Sequence, residues 1–333
     1  MNSLKVNLTE RSYEIFVGHG LLEKAAEFFD LNRKVFVLTD SGVPAEYAKA
    51  VASCCKDAKI FTVQQGEGAK TFPVFEEVLR EMMHFNMGRK DCLVCVGGGV
   101  VGDLGGFAAA SYMRGIDFSQ VPTTVLSQVD SSIGGKTAIN LDDTKNIVGA
   151  FHQPKAVLID IETLRTLPQR LIAEGLAEAV KMAACFDPEL FEIFETQDID
   201  LDNIEEVIMR SLAIKKKVVE EDEREAGLRK LLNFGHTLGH GIEGSQDKLF
   251  HGECVAIGML PMCSDEVRPR LEAVLEKLGL PTKYDGDMDE AFKLVAHDKK
   301  ASGDFVDAVF VDEIGKPRIE KVSLTSFRAK RSK

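Results

Sequence analysis

The sequence has no long apolar segment, no excess of positive charge and no regular cysteine framework, and each absence excludes a class of protein. No window approaches the roughly 18 apolar residues that a membrane-spanning helix requires, and residues 1–5 lack the basic and apolar regions of a cleaved signal. We therefore expect a cytoplasmic protein without a membrane partner. A formal net charge of −12 at pH 7 provides no field that would attract nucleic acid, so an anionic ligand requires a local basic pocket.

The seven cysteines are odd in number and scattered, which favours reduced thiols over a disulfide framework. Cys92 and Cys95 form a single CxxC, a spacing that redox and metal sites use. Because no second CxxC is present to complete four ligands, two residues of an alternating strand are the better explanation.

The first half of the chain alternates short β-branched runs with amphipathic segments. This alternation predicts an α/β domain with a Rossmann-like parallel sheet. Buried strands are expected at residues 34–38, 59–63, 92–96 and 156–160, after an opening hairpin at 5–8 and 13–17.

Helical periodicity dominates the second half. With 333 residues the chain is long enough for two packed cores, so we predict a dinucleotide-binding domain over 1–162 and a mainly helical metal- and substrate-binding domain over 163–333. Helices are expected at 171–184, 204–223, 228–243, 254–267 and 271–278, and a terminal hairpin at 306–311 and 318–322.

A glycine-rich motif at residues 97–103, Gly-Gly-Gly-Val-Val-Gly-Asp, follows a predicted strand and fits GxGxxG. Backbone amides at such a helix start bind a pyrophosphate. A tight turn without a ligand would need the same glycines. Polar residues at two earlier strand ends favour the dinucleotide, since Asp40 suits a ribose hydroxyl, and Glu67 with Lys70 suits a phosphate.

A second glycine cluster, residues 130–137, resembles a P-loop but fails the pattern, because Asp130 occupies the place of the first glycine. The preceding residues 124–129 predict a helix where a P-loop requires a strand. A nucleoside-triphosphate site is therefore not expected. The turn instead offers an acid and Lys136, followed by Lys145 and Asn146.

His236 and His240 are four residues apart on one predicted helix face, a spacing that suits metal ligation, although such a pair also occurs packed in cores. By spacing alone His240 would be a ligand. His251 adds a third imidazole. Glu178 and Lys181 lie in a stretch of small apolar residues that indicates burial, so the carboxylate could complete a catalytic metal site with open positions.

Basic residues lie in or beside these motifs: Arg114, Lys136, Lys145, Lys181, Lys215, Arg229 and the pair Lys299 and Lys300. In an acidic protein this placement favours binding of phosphate and carboxylate groups. For any single lysine, a solvated helix face is the alternative.

Six segments resemble, in order and spacing, the motifs of the sugar-phosphate cyclase family, and most closely the members that make 3-dehydroquinate in the shikimate pathway. They are GGGVVGDLGGFAAASYMRG, VPTTVLSQVDSSIGGKTAIN, KNIVGAFHQP, EGLAEAVK, EDEREAGLRKLLNFGHTLGH and HGECVAIGM. The sequence differs from the expected family pattern at Gln128, where methionine is expected, and in a loop at 244–250 that is a residue or two shorter.

The resemblance implies a homodimer that binds NAD+ and a zinc or cobalt ion. It implies metal ligation by Glu178, His236 and His251, with His240 facing the substrate. The dinucleotide site would comprise Asp40, Glu67, Lys70, Gly98, Gly99, Val100, Asp103, Thr123, Thr124, Lys145, Thr163, Thr166 and Leu167. The substrate would be bound by Asn146, Lys181, Lys215, Arg229, Asn233, His240, Lys299 or Lys300, and Arg114 of the other subunit, while Asp130 and Lys136 serve both sites.

The implied substrate is 3-deoxy-D-arabino-heptulosonate 7-phosphate, a small phosphorylated sugar acid. The implied reaction is transient oxidation by NAD+, phosphate elimination, re-reduction and intramolecular aldol closure. Another sugar-phosphate cyclase, such as one making deoxy-scyllo-inosose, is the nearest rival. A metal-dependent polyol dehydrogenase would leave the phosphate-binding lysines unexplained, and a non-catalytic NAD sensor would be expected to have lost a metal ligand or Lys181.

Overall fold

The computed structural model describes residues 1–142, 144–225, 227–246, 248–298 and 305–323. The chain divides into two compact units, the first ending at Leu167 and the second beginning at Pro168. The turn Ile161–Thr166, which contains the predicted domain boundary at residue 162, belongs to the first unit. Thr163 Oγ1 there donates a hydrogen bond to the carbonyl oxygen of Asp160 at 2.7 Å.

The first unit contains nine strands and three helices within the described residues. The strands are β1 (Asn2–Val6), β2 (Tyr13–Gly18), β3 (Lys34–Asp40), β4 (Asp57–Val63), β5 (Cys92–Gly97), β6 (Asp117–Pro122), β7 (Lys136–Leu141), β8 (Thr144–Phe151) and β9 (Ala156–Asp160). The helices are α1 (Ala45–Ser53), α2 (Phe72–His84) and α3 (Gly99–Ser111).

Seven of these strands form one sheet in the order β1-β2-β9-β6-β5-β3-β4, and only β1 runs antiparallel to its neighbour. The predicted Rossmann-like sheet is confirmed. Strand order reverses between β3 and β5, since β4 lies on the far side of β3. Ligands of open α/β sheets bind at the carboxyl ends of strands beside such a reversal.

Strand β6 and the hairpin β7–β8 did not emerge from the sequence pattern. Two polar residues in the middle of β6, Ser119 and Gln120, are buried, so the strand lacks a continuous apolar run. Gln120 is accommodated because its Nε2 donates to the carbonyl oxygen of Ser132 at 3.2 Å. A buried amide with a distant partner leaves no local signal in the sequence.

The second unit is mainly helical, as predicted. The described helices are α4 (Gln169–Phe186), α5 (Pro188–Thr196), α6 (Ile204–Glu221), α7 (His236–Gly244), α8 (His251–Met259), α9 (Arg268–Lys277) and α10 (Met288–Asp298). A hairpin of β10 (Phe305–Val311) and β11 (Pro317–Ser323) forms where it was predicted. Among the helices that the structure describes, none is long and apolar enough to cross a membrane.

Two predicted helices were wrong in length. The helix expected over 228–243 begins only at His236, because residues 228–233 form a 3-10 turn and Gly235, with φ +79°, separates that turn from the helix. The helix expected over 254–267 ends at Met259, and the 3-10 turn Leu260–Met262, which contains a proline, follows it. Helical periodicity continued through both interruptions, so hydrophobic spacing alone did not reveal them.

Candidate active site

Glu178, His236 and His251 converge in the second unit from three different helices. Glu178 lies on α4 and is fully buried, while the two histidines are the first residues of α7 and α8. Nε2 of each histidine is 3.6 Å from Oε1 of Glu178. Ligand atoms of a tetrahedral zinc ion, with bonds of ~2.1 Å, lie roughly 3.4 Å apart. The spacing therefore suits a divalent metal.

Glycines allow the two histidine-bearing helices to approach each other. A Cβ atom built at Gly258 of α8 would lie 2.1 Å from the carbonyl oxygen of Gly235, at the start of α7. Any larger residue would push the helices apart. The positive φ of Gly235 also turns the chain into α7. The sequence thus brings the first residue of α7 close to α8.

The carboxylate of Glu178 is ionised and partly without a partner. Burial raises its pKa, but Lys181 and the two histidines lower it more, so the pKa lies well below its ordinary value. Oε2 accepts a hydrogen bond from Nζ of Lys181, whereas buried Oε1 has no hydrogen-bond partner among the described residues. An unsatisfied buried carboxylate oxygen is costly, and a cation bound beside it would remove that cost. These residues fit a divalent metal.

Both imidazoles direct Nε2 toward this position. Nδ1 of His236 lies 3.2 Å from the carbonyl oxygen of Phe234, and Nδ1 of His251 lies 2.9 Å from Oε2 of Glu243. Each of these oxygens only accepts, so Nδ1 carries a proton in both rings and Nε2 is the nitrogen that faces the metal position. Burial lowers the pKa of His251, but Glu178 and Glu243 raise it to about 10, so a metal would displace a proton from its Nε2. Burial, followed by the charge of Lys181, holds the pKa of His236 well below its usual value, which keeps that ring neutral.

His240, one turn after His236 on α7, lies at the edge of the same cluster. Its ring centroid is 5.1 Å from that of His236 and 5.7 Å from that of His251. One ring nitrogen from each of the three histidines lies within 4.8 Å of the others, and His240 is exposed. The geometry is compatible with His240 as a fourth ligand or as a residue facing a bound substrate.

An ion pair that the sequence did not suggest fixes the start of α8. Arg170 donates from Nε and Nη2 to the two carboxylate oxygens of Glu253, each at 2.7 Å. Oε2 of Glu253 also accepts from the backbone N–H of Phe250 at 2.8 Å, and the guanidinium lies over the Phe250 ring. His251 follows Phe250 directly, so this contact restrains its backbone. Arg170 and Glu253 are 83 residues apart, too far for sequence spacing to pair them.

The predicted dinucleotide residues lie at the carboxyl ends of β3, β4, β5, β6 and β9 in the first unit. They are Asp40 at the end of β3, Glu67 and Lys70 in and after a 3-10 turn following β4, Gly98, Gly99, Val100 and Asp103 at the start of α3, Thr123 and Thr124 after β6, and Thr163, Thr166 and Leu167 in and after the turn following β9. Parallel strands place their carboxyl ends along one edge of the sheet, so the structure brings this set together.

Lys70 joins the predicted cofactor residues to the hairpin β7–β8. Its Nζ donates to Oδ2 of Asp103 at 2.7 Å and to Oδ1 of Asn146, and lies 3.4 Å from Oε1 of Glu67. Burial lowers the pKa of Lys70, but Asp103 and Glu67 raise it above its ordinary value. Burial raises the pKa of Asp103 to about 6 against the influence of Lys70.

Asn140 is a member of this network that the sequence analysis missed. Its Nδ2 donates to Oε1 of Glu67 at 2.8 Å, and its Oδ1 accepts from the backbone N–H of Asn146 at 2.8 Å. The second bond holds Asn146 at φ +57°, a left-handed conformation. Asn140 lies three residues after the glycine cluster 130–137 that resembled a P-loop, but nothing in its spacing indicated these partners.

The start of α3 has the features that a phosphate group requires. Gly98 precedes the helix without a side-chain cap, which leaves backbone N–H groups for a ligand. Buried Oγ of Ser131 has no hydrogen-bond partner within the described ranges, and a Cβ at Gly99 would lie 3.1 Å from it. An uncapped helix start beside an unsatisfied hydroxyl fits the pyrophosphate of a dinucleotide.

Gln128, where the family pattern led us to expect methionine, is fully buried behind this edge. Its Nε2 donates to the carbonyl oxygen of Pro122 at 3.1 Å and to Oγ1 of Thr163 at 3.2 Å. Gln128 follows Thr124 by one helical turn, and Asp130 lies two residues further in the π-helical turn Ser127–Ser131. The amide thereby connects the ends of β6 and β9.

The predicted substrate-binding cations of the second unit are buried. Lys181, Lys215 and Arg229 are 2%, 6% and 2% exposed. Arg229 donates from Nη1 to the carbonyl oxygen of Glu223 at 2.6 Å, and Asn233 donates to Oε1 of Glu225 at 2.8 Å. Of the remaining predicted residues, Lys136 and Lys145 are exposed on the hairpin β7–β8. Arg114 is exposed and has φ +68°. Lys299 and Lys300 lie outside the described residues.

Solved structures of similar fold carry a dinucleotide and a metal. A 2-deoxy-scyllo-inosose synthase complexed with carbaglucose-6-phosphate, NAD+ and Co2+ matches with a TM-score of 0.89 and 25% identity, covering 99% of each chain. A 2-epi-5-epi-valiolone synthase from Streptomyces hygroscopicus subsp. jinggangensis with NAD+ and Zn2+ matches with a TM-score of 0.88 and 26% identity, covering 97% of each chain. The fold is therefore that of the sugar-phosphate cyclases.

Sequence comparison specifies the family. Residues 60–174 match the model of the 3-dehydroquinate synthase N-terminal domain, and residues 175–301 match that of the C-terminal domain. The chain is 39% identical to the 3-dehydroquinate synthase of Latilactobacillus sakei, covering 99% of this chain and 98% of the relative. It is 41% identical to that of Caulobacter vibrioides, covering 96% and 95%. The chain belongs to the 3-dehydroquinate synthase family.

Proposed function

We propose that this chain converts 3-deoxy-D-arabino-heptulosonate 7-phosphate into 3-dehydroquinate and inorganic phosphate, as a phosphorus–oxygen lyase that depends on NAD+ and a divalent metal. The observation that carries the proposal is the convergence of His236 and His251 on the unsatisfied oxygen of Glu178, with Lys181 buried beside it. The family to which the chain belongs supports the same reaction.

In this proposal Glu178, His236 and His251 hold zinc or cobalt, and the carboxyl edge of the sheet holds NAD+. When bound, the metal supplies a Lewis acid and the nicotinamide a reversible hydride acceptor. The ionised carboxylate of Glu178 and the neutral ring of His236 need no deprotonation to accept the metal, whereas His251 would release a proton from Nε2 as the metal binds. The N-terminal end of α3 and Lys70 provide positive electrostatic potential for the pyrophosphate.

The buried cations of the second unit bind the anionic substrate. Lys181, Lys215 and Arg229 each lose most of their hydration in the folded chain. A bound phosphate or carboxylate offsets this loss of hydration through charge-assisted hydrogen bonds. We also assign substrate binding to Asp130, Lys136, Asn146, Asn233 and Lys299. A substrate with both a phosphate and a carboxylate uses this many cations, which favours the heptulosonate over a sugar phosphate that has no carboxylate.

His240 is the side chain best placed to move a proton. It lies beside the metal ligands yet remains exposed, so it can reach a bound substrate and exchange its proton with solvent. We propose that its ring, or the departing phosphate itself, accepts the proton during elimination. His240 is then a substrate-facing residue and not a metal ligand.

A homodimer completes the proposed site. Arg114 is exposed in a strained turn, where Met113 and Arg114 have φ values of +50° and +68°. We propose that this turn presents Arg114 to the substrate bound by a second copy. Sedimentation should give twice the chain mass, and Arg114→Ala should raise KM for the phosphate substrate without dissociating the dimer.

Turnover with stoichiometry tests the proposed reaction. Purified protein with zinc and catalytic NAD+ should release one phosphate per 3-dehydroquinate, accumulate no NADH and lose activity on chelation. Glucose 6-phosphate, whose carba analogue is bound in the inosose synthase structure, should not react. Accumulating NADH would indicate a polyol dehydrogenase instead, and turnover of glucose 6-phosphate would indicate the rival cyclase.

A further inference from the structure

The face of α7 that carries His236 and His240 continues to a third polar residue. Glu243 follows His236 by seven residues, two helical turns, and therefore lies on the same side of the helix. Neither the motif spacing nor the predicted site included it. Its side chain is 18% exposed and contacts the ring of a proposed metal ligand on the next helix.

The contact is a hydrogen bond with a defined direction. Oε2 of Glu243 lies 2.9 Å from Nδ1 of His251, and the opposite ring nitrogen, Nε2, lies 3.6 Å from Oε1 of Glu178. The carboxylate can only accept, so the proton resides on Nδ1. Nδ1 of His251 thereby keeps its proton, and Nε2 is the nitrogen directed at the proposed metal position.

Glu243 also determines how the ring is oriented. His251 is the first residue of α8, and its side chain is 28% exposed. Neighbouring side chains therefore leave part of the ring uncovered. The other histidine, His236, uses a backbone carbonyl for the same purpose. A carboxylate gives a stronger bond to an imidazole N–H than a neutral carbonyl does, and such partners commonly tune a metal site.

We propose that Glu243 is a positioning residue for the metal centre, acting through His251 to fix its tautomer and ring orientation. This inference rests on the proposed metal site. Glu243 touches neither substrate nor metal in this role. Loss of the carboxylate should therefore weaken metal binding itself, before any effect on turnover.

Binding of Co2+ to the full chain tests the role without an activity assay. We compare the wild type with Glu243→Leu, which removes the acceptor, and Glu243→Gln, whose amide oxygen still accepts from Nδ1. Glu206→Leu, at an exposed position on α6, is the matched control for losing one negative charge. Affinity is measured by competition with a chromophoric chelator, and site geometry by the visible absorption of bound Co2+.

The wild type and Glu206→Leu should bind alike. Glu243→Leu should bind 10- to 100-fold more weakly with an altered visible spectrum, and Glu243→Gln should recover most of the affinity. Wild-type affinity and spectrum in a folded Glu243→Leu would overturn the positioning role while leaving the metal site intact. Failure of the wild type to bind Co2+ or Zn2+ would instead overturn the metal site and this inference with it.

Discussion

Glu178 and Lys181 form a buried ion pair within one turn of α4, and only one oxygen of the carboxylate takes part in it. Oε2 accepts from the ammonium group, whereas Oε1 lies 3.6 Å from Nε2 of both His236 and His251. Residues three apart on a helix share a face, so the spacing in the sequence itself creates the pair. Lys181 keeps the carboxylate ionised before a metal arrives.

Replacing Lys181 by methionine separates its effect on metal from its effect on substrate. Methionine fills similar volume but removes a cation that repels the metal, so zinc should bind at least as tightly as in the wild type. Loss of a charged contact to the substrate, about 3 kcal/mol, should lower kcat/KM about 100-fold. Chelator competition gives the zinc affinity, and steady-state kinetics give kcat/KM. A parallel loss of zinc affinity would show that Lys181 acts through the metal site.

The role of His240 can be distinguished from those of the other two histidines. His240→Ala should keep zinc affinity within about threefold of the wild type, because the remaining carboxylate and two imidazoles hold the ion. His236→Ala should lose about 100-fold or more in affinity. Both variants should be inactive or nearly so. An equal loss of zinc affinity in the two variants would make His240 a ligand, as the i, i+4 spacing alone suggested.

Asn140→Ala should weaken NAD+ binding about 10-fold, because it removes a donor to Glu67 and the acceptor that holds the backbone of Asn146. Isothermal titration of NAD+ measures the effect. Asn7→Ala, at an exposed position in the same unit, is the control and should match the wild type. Unchanged affinity in Asn140→Ala would remove this network from the cofactor site.

Asp103 should make stability depend on pH. Burial raises its pKa from 3.8 to about 6, so between these values the folded chain holds a proton that the unfolded chain has released. The contribution of Asp103 to wild-type stability therefore falls as pH rises from about 4 to 6. Asp103→Asn lacks this proton, so its stability relative to the wild type should increase over that range. Urea unfolding midpoints at pH 4.5, 5.5 and 6.5 measure the difference, and a constant difference would contradict the raised pKa.

Local sequence pattern was sufficient to predict the parallel sheet and the burial of Glu178. The apolar runs indicated buried strands, and the small apolar neighbours of Glu178 indicated a buried helix. The strand pattern also placed the residues that we predict to bind the dinucleotide at the carboxyl ends of parallel strands, which lie along one edge of the sheet. The glycine interruption before His236 was missed since helical spacing continued across it.

The partners Asn140, Arg170 and Glu243 could not have been predicted from spacing. Each makes its decisive contact through the folded arrangement: Asn140 with Glu67 across 73 residues, Arg170 with Glu253 across 83, and Glu243 with a residue on the next helix. Polar residues of this kind look like ordinary surface positions in a sequence. Only tertiary structure shows which of them support a site.

The most direct test of the central claim follows a hydrogen atom through turnover. The proposed reaction transiently oxidises the C5 hydroxyl of the substrate. Substrate carrying deuterium at C5 is converted in the presence of zinc and a large excess of unlabelled NAD+, and the 3-dehydroquinate is analysed by mass spectrometry. The account predicts that the product retains the deuterium, with one phosphate released per product, because the hydride returns to the carbon from which it came. Deuterium found in free NADH or lost to solvent would contradict it.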